Sequence, residues 1–358
     1  MDRTTITTYE QAADNWLQRG SGPKFADEAQ HFADLVPATE WRADLGCGPG
    51  WHAPTLGQHG PVLALDAARS MVAKIRDHAP MAFPVVGDLE ALPIRSGSLS
   101  AGWARGSYQH LPAERLPLAL ADLHRALRVD APVRVYVTSD RLAPVSDWVD
   151  PIGPRHFAHW SPTRLRDVMQ GAGFDVEAID DDGREWLTVR ARRAITLADI
   201  VGPDMRLLVV GLNPSVYSAE RGVGFARPGN RFWPALLASG LVERDRDPRD
   251  AYRSFGIGFT DLVKRATPRA DALARDEYVD GAARVARLVA WLQPDTVCFA
   301  GLSGYRLAID RTAKPGWQPA AFGDRPAYVM PNPSGLNAHT NVAALRDHLR
   351  AATTRRTT

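Results

Sequence analysis

The sequence predicts an α/β protein of two domains, each built on a largely parallel sheet. Three observations carry that expectation. The chain has 358 residues, more than a single hydrophobic core usually serves. Two stretches far apart in the chain, the short strand Trp41–Leu45 and the apolar run Leu207–Val210, each end in a loop of glycine, proline or asparagine. A strand that ends in such a loop and leads into a helix is where parallel sheets place ligands and chemistry. Charge also divides the chain: residues 1–193 hold 21 Lys/Arg against 25 Asp/Glu, and residues 194–358 hold 22 against 16.

Residues 9–36, with Tyr9, Ala12, Ala13, Trp16, Phe25, Phe32 and Leu35, have the spacing of one or two helices. The first strand then ends at Asp44-Leu45-Gly46-Cys47-Gly48-Pro49-Gly50. Glycines there let a ligand approach the backbone, and a following helix offers free N–H groups. Val62–Leu65 reads as a second strand ending at Asp66, an acidic position that commonly holds ribose hydroxyls. Pro84–Gly87 leads to Asp88 and Leu89.

This series resembles the class I S-adenosylmethionine-dependent methyltransferases over roughly residues 9–193. The resemblance implies a Rossmann-like seven-stranded sheet with S-adenosylmethionine as cofactor. Asp44, Gly46 and Gly48 match the first motif, Asp66 the ribose-binding acid, and Asp88 with Leu89 the segment beside the adenine. Arg125-Ala126-Leu127-Arg128, Trp160-Ser161-Pro162 and Gly171-Ala172-Gly173-Phe174 fit the later helices and turns. Neither the Asp-Pro-Pro-Tyr loop of amino-directed DNA methyltransferases nor the Pro-Cys nucleophile of the cytosine-C5 type occurs, and Cys47 lies in the cofactor turn. The methyl acceptor is therefore unknown. His110 stands where such folds often contact it, and packing is the plainer reading.

The boundary falls near Arg190–Arg193: Val189 ends a plausible strand and Ile195–Pro203 forms a short connector. The domains expected are thus 1–193 and 194–358. In the second, Leu207–Val210 runs into Gly211-Leu212-Asn213-Pro214-Ser215, and Asn230–Ser239 has helical spacing. Ala327–Met330 reads as another strand running into Pro331-Asn332-Pro333-Ser334-Gly335-Leu336-Asn337, so both loops are expected at one edge of a parallel sheet.

This pair of loops resembles the mismatch-specific uracil/thymine DNA glycosylases, in which a G-I-N-P-G loop carries catalysis and an N-P-S-G-L loop enters the DNA. Gly258–Arg265 with Thr267-Pro268 also resembles that family, and the likeness spans roughly residues 205–350. It implies a three-layer α/β/α domain with a central parallel sheet. It further implies hydrolysis of the N-glycosidic bond of uracil, at its broadest also thymine, mispaired with guanine in double-stranded DNA. By the same resemblance Asn213 positions the attacking water and Gly211, Leu212, Ser218 and Phe225 form the base pocket. Leu336 is the wedge that replaces the flipped base, with Gly335 and Asn337 facing the orphaned guanine. Phe232 and Trp233 read as core, Asn230 as an N-cap, and Arg227, Arg231, Lys264 and Arg265 as candidates for phosphate contact. Two positions depart from the pattern: Leu212 replaces isoleucine, and Ser215 replaces a glycine whose φ, if positive, would strain a serine.

A basic C-terminal half, net +6 in a chain of net +2, suits a polyanionic partner, although a solvated basic face has the same count. No apolar run reaches membrane-spanning length, the first eight residues lack a signal-peptide core, and two cysteines in separate domains fit a reducing cytosol. No Cys/His spacing suits zinc, so no metal is expected, nor any cofactor for the glycosylase half. A cytoplasmic monomer is expected. The competing expectation is a methyltransferase of a small molecule or RNA whose C-terminal half only binds nucleic acid.

Overall fold

The computed structural model of the protein describes residues 2–20, 23–141, 152–268, 272–335, 337 and 340–354. The chain forms two compact units, Met1–Gln170 with Phe174–Ala194, and Ile195–Thr358 with Gly171–Gly173. Among the described residues no helix is long and apolar enough to cross a membrane.

The first unit contains α1 (Arg3–Arg19), α2 (Pro23–Ala33), β1 (Arg42–Leu45), α3 (Ala53–Leu56), β2 (Val62–Asp66), α4 (Arg69–His78) and β3 (Ala82–Val86). It continues with β4 (Ala101–Arg105), α5 (Leu116–Ala126), β5 (Pro132–Thr138), α6 (Pro162–Gly171), β6 (Phe174–Asp181) and β7 (Trp186–Arg193). Its seven strands are ordered β3-β2-β1-β4-β5-β7-β6. All pairs from β3 to β5 are parallel, and β7 runs antiparallel to both neighbours. From β1 the chain winds one way to β2 and β3, then returns past β1 to β4 and β5. The carboxyl end of β1 is therefore a topological switch point, where open sheets leave a crevice for a ligand. β1 is buried along its whole length, as an interior parallel strand must be. β7 runs past Val189 to Arg193 because Trp186–Arg192 pair with β5 and Arg193 pairs with Phe174 of β6.

The second unit contains β8 (Leu207–Gly211), α7 (Val216–Arg221), α8 (Phe232–Ala238), α9 (Pro248–Phe255), β9 (Ile257–Asp261) and α10 (Arg275–Leu292). There follow β10 (Val297–Ala300), α11 (Leu302–Ala308), β11 (Gly316–Trp317), β12 (Ala327–Met330) and α12 (Val342–Thr353). The sheet order is β11-β12-β10-β8-β9, parallel except for β11. Alternation along the strands builds two cores. Leu208, Val210, Phe299 and Val329 face the layer holding Val285 and Val289 of α10. Leu207, Val209, Cys298 and Tyr328 face the layer holding Phe232 and Trp233 of α8 and Leu345 and Leu349 of α12. The result is the three-layer α/β/α arrangement, with the ends of β8, β9, β10 and β12 on one edge. The connector 195–203 is part of this unit: Ile200 exchanges two 2.9 Å backbone hydrogen bonds with Phe259.

Candidate active sites

In the first unit, the turn after β1 passes through Gly46, Gly48 and Gly50, all at positive φ. Gly46 has no alternative: a Cβ there would lie 2.1 Å from Cβ of Ser107. Asp66, at the end of β2, accepts from the backbone N–H of Gly48 and of Ala68, both at 2.9 Å. Asp44 is buried with Oδ2 lacking any partner. Burial, reinforced by Asp66 and opposed by Arg105, pushes the Asp44 carboxyl up to about 8. An uncompensated buried acid beside a glycine cradle suits a cationic ligand group. Leu89 is fully buried, and Asp88 turns its Oδ1 onto the N–H of Glu90 at 3.0 Å. Burial pushes the Cys47 thiol well above its ordinary range, as an inert structural cysteine requires.

Helix α1 contributes groups that its sequence showed only as apolar spacing. Trp16 lies over the glycine turn, 3.6 Å from where a Cβ of Gly48 would stand, and stacks on Trp51. Glu10 accepts from the N–H groups of Arg69 and Ser70 at the start of α4. The Tyr9 hydroxyl lies 2.9 Å from Nε2 of His110 and accepts from Arg155 at 2.7 Å. Nδ1 of His110 faces the His156 carbonyl at 2.7 Å, so the ring donates there and accepts from Tyr9. His110 is thus 2% exposed, inside a hydrogen-bonded cluster.

In the second unit, β8 ends at Gly211 beside Asp261 of β9 in parallel register. The Asn213 loop is zipped to the segment after β9. Leu262 N–H donates to Gly211, Val263 to Leu212 and Thr267 to Pro214, at 3.0, 3.0 and 3.1 Å. Asn213 Nδ2 faces the carbonyls of Pro214 and Arg265 at 3.1 Å and Thr267 Oγ1 at 2.8 Å. These acceptors assign the amide orientation. Among the described residues its Oδ1 accepts nothing, leaving the carbonyl as the available end. Ser215 is unstrained at φ −72°, where it caps α7 through the N–H of Ser218. The departure from glycine is thus accommodated by an extended backbone and a capping hydrogen bond.

Ser218 is buried and bonds Ser215 Oγ at 3.1 Å. Leu212 packs toward α11, its Cδ1 2.2 Å from where a Cβ of Gly304 would stand. Phe225 adopts φ +57° and stacks one face on Phe232, with centroids 4.2 Å apart. Its Cζ lies 3.6 Å from the Cβ position of Gly211, so ring and strand end meet. Between the strand ends runs a cleft lined by Gly211, Leu212, Gly301, Ser303 and Asn332.

The second loop packs onto the first region: a Cβ on Gly335 would stand 2.7 Å from the Gly229 carbonyl. Asn337 Nδ2 donates to Asn332 O and Thr340 Oγ1 at 3.0 and 3.1 Å. Leu336 lies outside the described residues. Two charge expectations need correction. Arg231 is not free for phosphate, since its Nη1 donates to the carbonyls of Asn337 and Thr340, both at 2.8 Å. Lys264 is engaged by buried Asp199 at 2.7 Å, which also takes Arg284 at 2.9 Å. Burial raises that carboxyl, but Lys264 and Arg284 outweigh burial and hold it below the usual range. Arg265 pairs with Glu277 at the surface, while Arg227 is exposed. Asn230, expected as an N-cap, stands one residue ahead of it: α8 begins at Phe232 with Arg231 as its N-cap, and Asn230 Oδ1 accepts from Phe232 N–H at 2.9 Å.

Residues 198–353 match the family model of the uracil DNA glycosylase superfamily, and residues 43–130 match that of a methyltransferase domain. Among solved structures, an S-adenosylmethionine-dependent methyltransferase from Mesorhizobium loti is 19% identical with TM-score 0.38, covering 46% of this chain and 96% of its own. A TehB-like methyltransferase from Corynebacterium glutamicum is 21% identical with TM-score 0.40, covering 52% and 97%. The chain thus joins a methyltransferase domain to a domain of the uracil DNA glycosylase superfamily.

Proposed function

We propose that the C-terminal domain excises uracil, and at its broadest thymine, mispaired with guanine, leaving an abasic site. The observation that carries this reading is Asn213: its nitrogen is engaged by three acceptors while its carbonyl oxygen is left to accept from a water. A carboxamide is a weak base, so it orients the water rather than deprotonating it, and a slow, selective hydrolysis follows. Phe225 holds the flipped base by stacking, and Gly211 lets the base approach the strand end. Leu336 fills the vacated stack, and Gly335 and Asn337 meet the orphaned guanine. Flipping costs a few kcal/mol, least at a mismatch, so the substrate itself supplies part of the selectivity.

In the N-terminal domain Asp44, Gly46, Gly48, Asp66, Asp88 and Leu89 fit S-adenosylmethionine, the unpartnered Asp44 oxygen being suited to its ammonium group. That cofactor supplies an electrophilic methyl group on a sulfonium. The residues named would hold it, with Trp16, which lies over the glycine turn, beside them.

Labelled duplexes carrying G·U, G·T, A·U and G·C, treated with alkali after incubation, test the glycosylase. Strand breaks at G·U that vanish in Asn213→Ala are expected, and the G·T lane sets the breadth. Absence of breaks in every lane, from folded protein that still binds DNA, would overturn the reading in favour of a methyltransferase with a nucleic-acid-binding half.

A further inference from the structure

The carboxylate of Asp261 stands at the same strand edge without a role in the reading above. Its Oδ1 occupies the space over Gly211, 2.2 Å from where a Cβ would be, and Phe225 Cζ lies 3.6 Å from that point. Gly211 is therefore required by the carboxylate as well as by any ligand. Among the described residues the Asp261 side chain has no hydrogen bond or ion pair. The cations nearby do not neutralise it: Lys264 and Arg284 are directed to Asp199, and Arg284 meets only the backbone carbonyl of Asp261, at 2.7 Å.

The charged groups facing it are Lys264 after β9, Arg284 on α10 and Asp199 on the connector. Strand β8 and the loop Leu212–Ser215 contribute no charge. Burial pushes the carboxyl up to about 6, Lys264 and Arg284 pulling it down and Asp199 pushing it further up.

We propose that Asp261 reads the flipped base in its neutral form, donating a hydrogen bond to a base carbonyl oxygen. This rests on the glycosylase reading, because it takes Phe225 as the base's platform. As the bond from the sugar C1′ to the base nitrogen breaks, its electron pair spreads onto the base and its carbonyl oxygens. Water oxygen bonds to C1′ and releases a proton to solvent. Asp261 keeps its proton, shared in the hydrogen bond, and the departing base later takes a proton from solvent. Ionised Asp261 does the reverse: it repels the developing anion. The ligand class selected is a base presenting carbonyl oxygens, as deaminated and oxo-pyrimidine bases do.

Single-turnover excision from a G·U duplex between pH 5.5 and 8.5 tests this, with wild type, Asp261→Asn and Asp261→Ala compared after thermal melts establish folding. Wild type is expected to slow about tenfold or more across that range. Asp261→Asn, a permanent neutral donor, is expected to be flat and faster than wild type at pH 8.5. Asp261→Ala is expected to be flat and slower than the asparagine variant. Wild-type and asparagine profiles that superimpose, or an asparagine variant as inactive as Asn213→Ala, would overturn the assignment while leaving the glycosylase reading intact. A wild type silent on every duplex at every pH would overturn both.

Discussion

The loops after β1 and after β8 stand at equivalent places, the carboxyl ends of interior parallel strands, yet they are built by opposite means. The loop after β1 is shaped by backbone. Left-handed glycines make the turn, and one buried acid, Asp44, is left without a partner on Oδ2. The loop after β8 is shaped by side chains and by zipping. Asn213 is held by Thr267 from 54 positions away, and Ser215 caps the next helix. Both leave one oxygen unpaired among the described residues, Asp44 Oδ2 and Asn213 Oδ1, and the comparison teaches that such an oxygen can be presented either by a rigid backbone turn or by tying down the rest of its own side chain.

Substitutions can break this contrast in order of size. Asn213→Ala should lower excision by about 10²-fold or more, since aim is its whole contribution, with single-turnover kinetics as the measure. Asp44→Asn should weaken S-adenosylmethionine by about 10- to 100-fold in calorimetry, the range of a charged hydrogen bond. The ligand's ammonium requires ionised Asp44, whose carboxyl is raised to about 8. Affinity should therefore rise with pH up to about 8, and binding at pH 7 should release a proton, seen as buffer-dependent heat. Thr267→Val should cost excision about 5- to 30-fold by freeing the Asn213 amide, with the melting temperature little changed. Ser215→Ala should remove about 1 kcal/mol of helix capping and slow excision least. If Thr267→Val matched Asn213→Ala, threonine rather than asparagine would be the centre of the loop.

Much of this was legible in the chain. β8 and β12 are apolar runs, and β10, which the sequence reading did not single out, joins them in a parallel register that carries the loops after β8 and β12 to one edge. The glycine turn after β1 was legible because only glycine tolerates its dihedral angles. What was not legible was the pairing of charges. Lys264 and Arg231 looked like phosphate ligands because sequence shows a charge and hides its distance to the next one. In the fold Asp199 and the carbonyls around Asn337 claim them. Asp261 was passed over for the complementary reason: an acid in a strand looks ordinary until its neighbours' cations are seen to face elsewhere. Tyr9 and Trp16 likewise read as helix packing, because their meaning depends on Arg155, His110 and Gly48.

Arg231 illustrates how a charge and a contact can be separated. Its donors are turned inward to carbonyl oxygens of the second loop, so the group is held by contacts within the protein rather than aimed at a phosphate. A contact acts only on touching, whereas a charge is felt over about one Debye length, ~8 Å at physiological salt. Under the glycosylase function proposed above, such a residue would draw a polyanion toward the strand edge without fixing where any phosphate rests. Under that proposal it would speed encounter and leave the register to other residues, so scanning along a duplex would be helped rather than pinned.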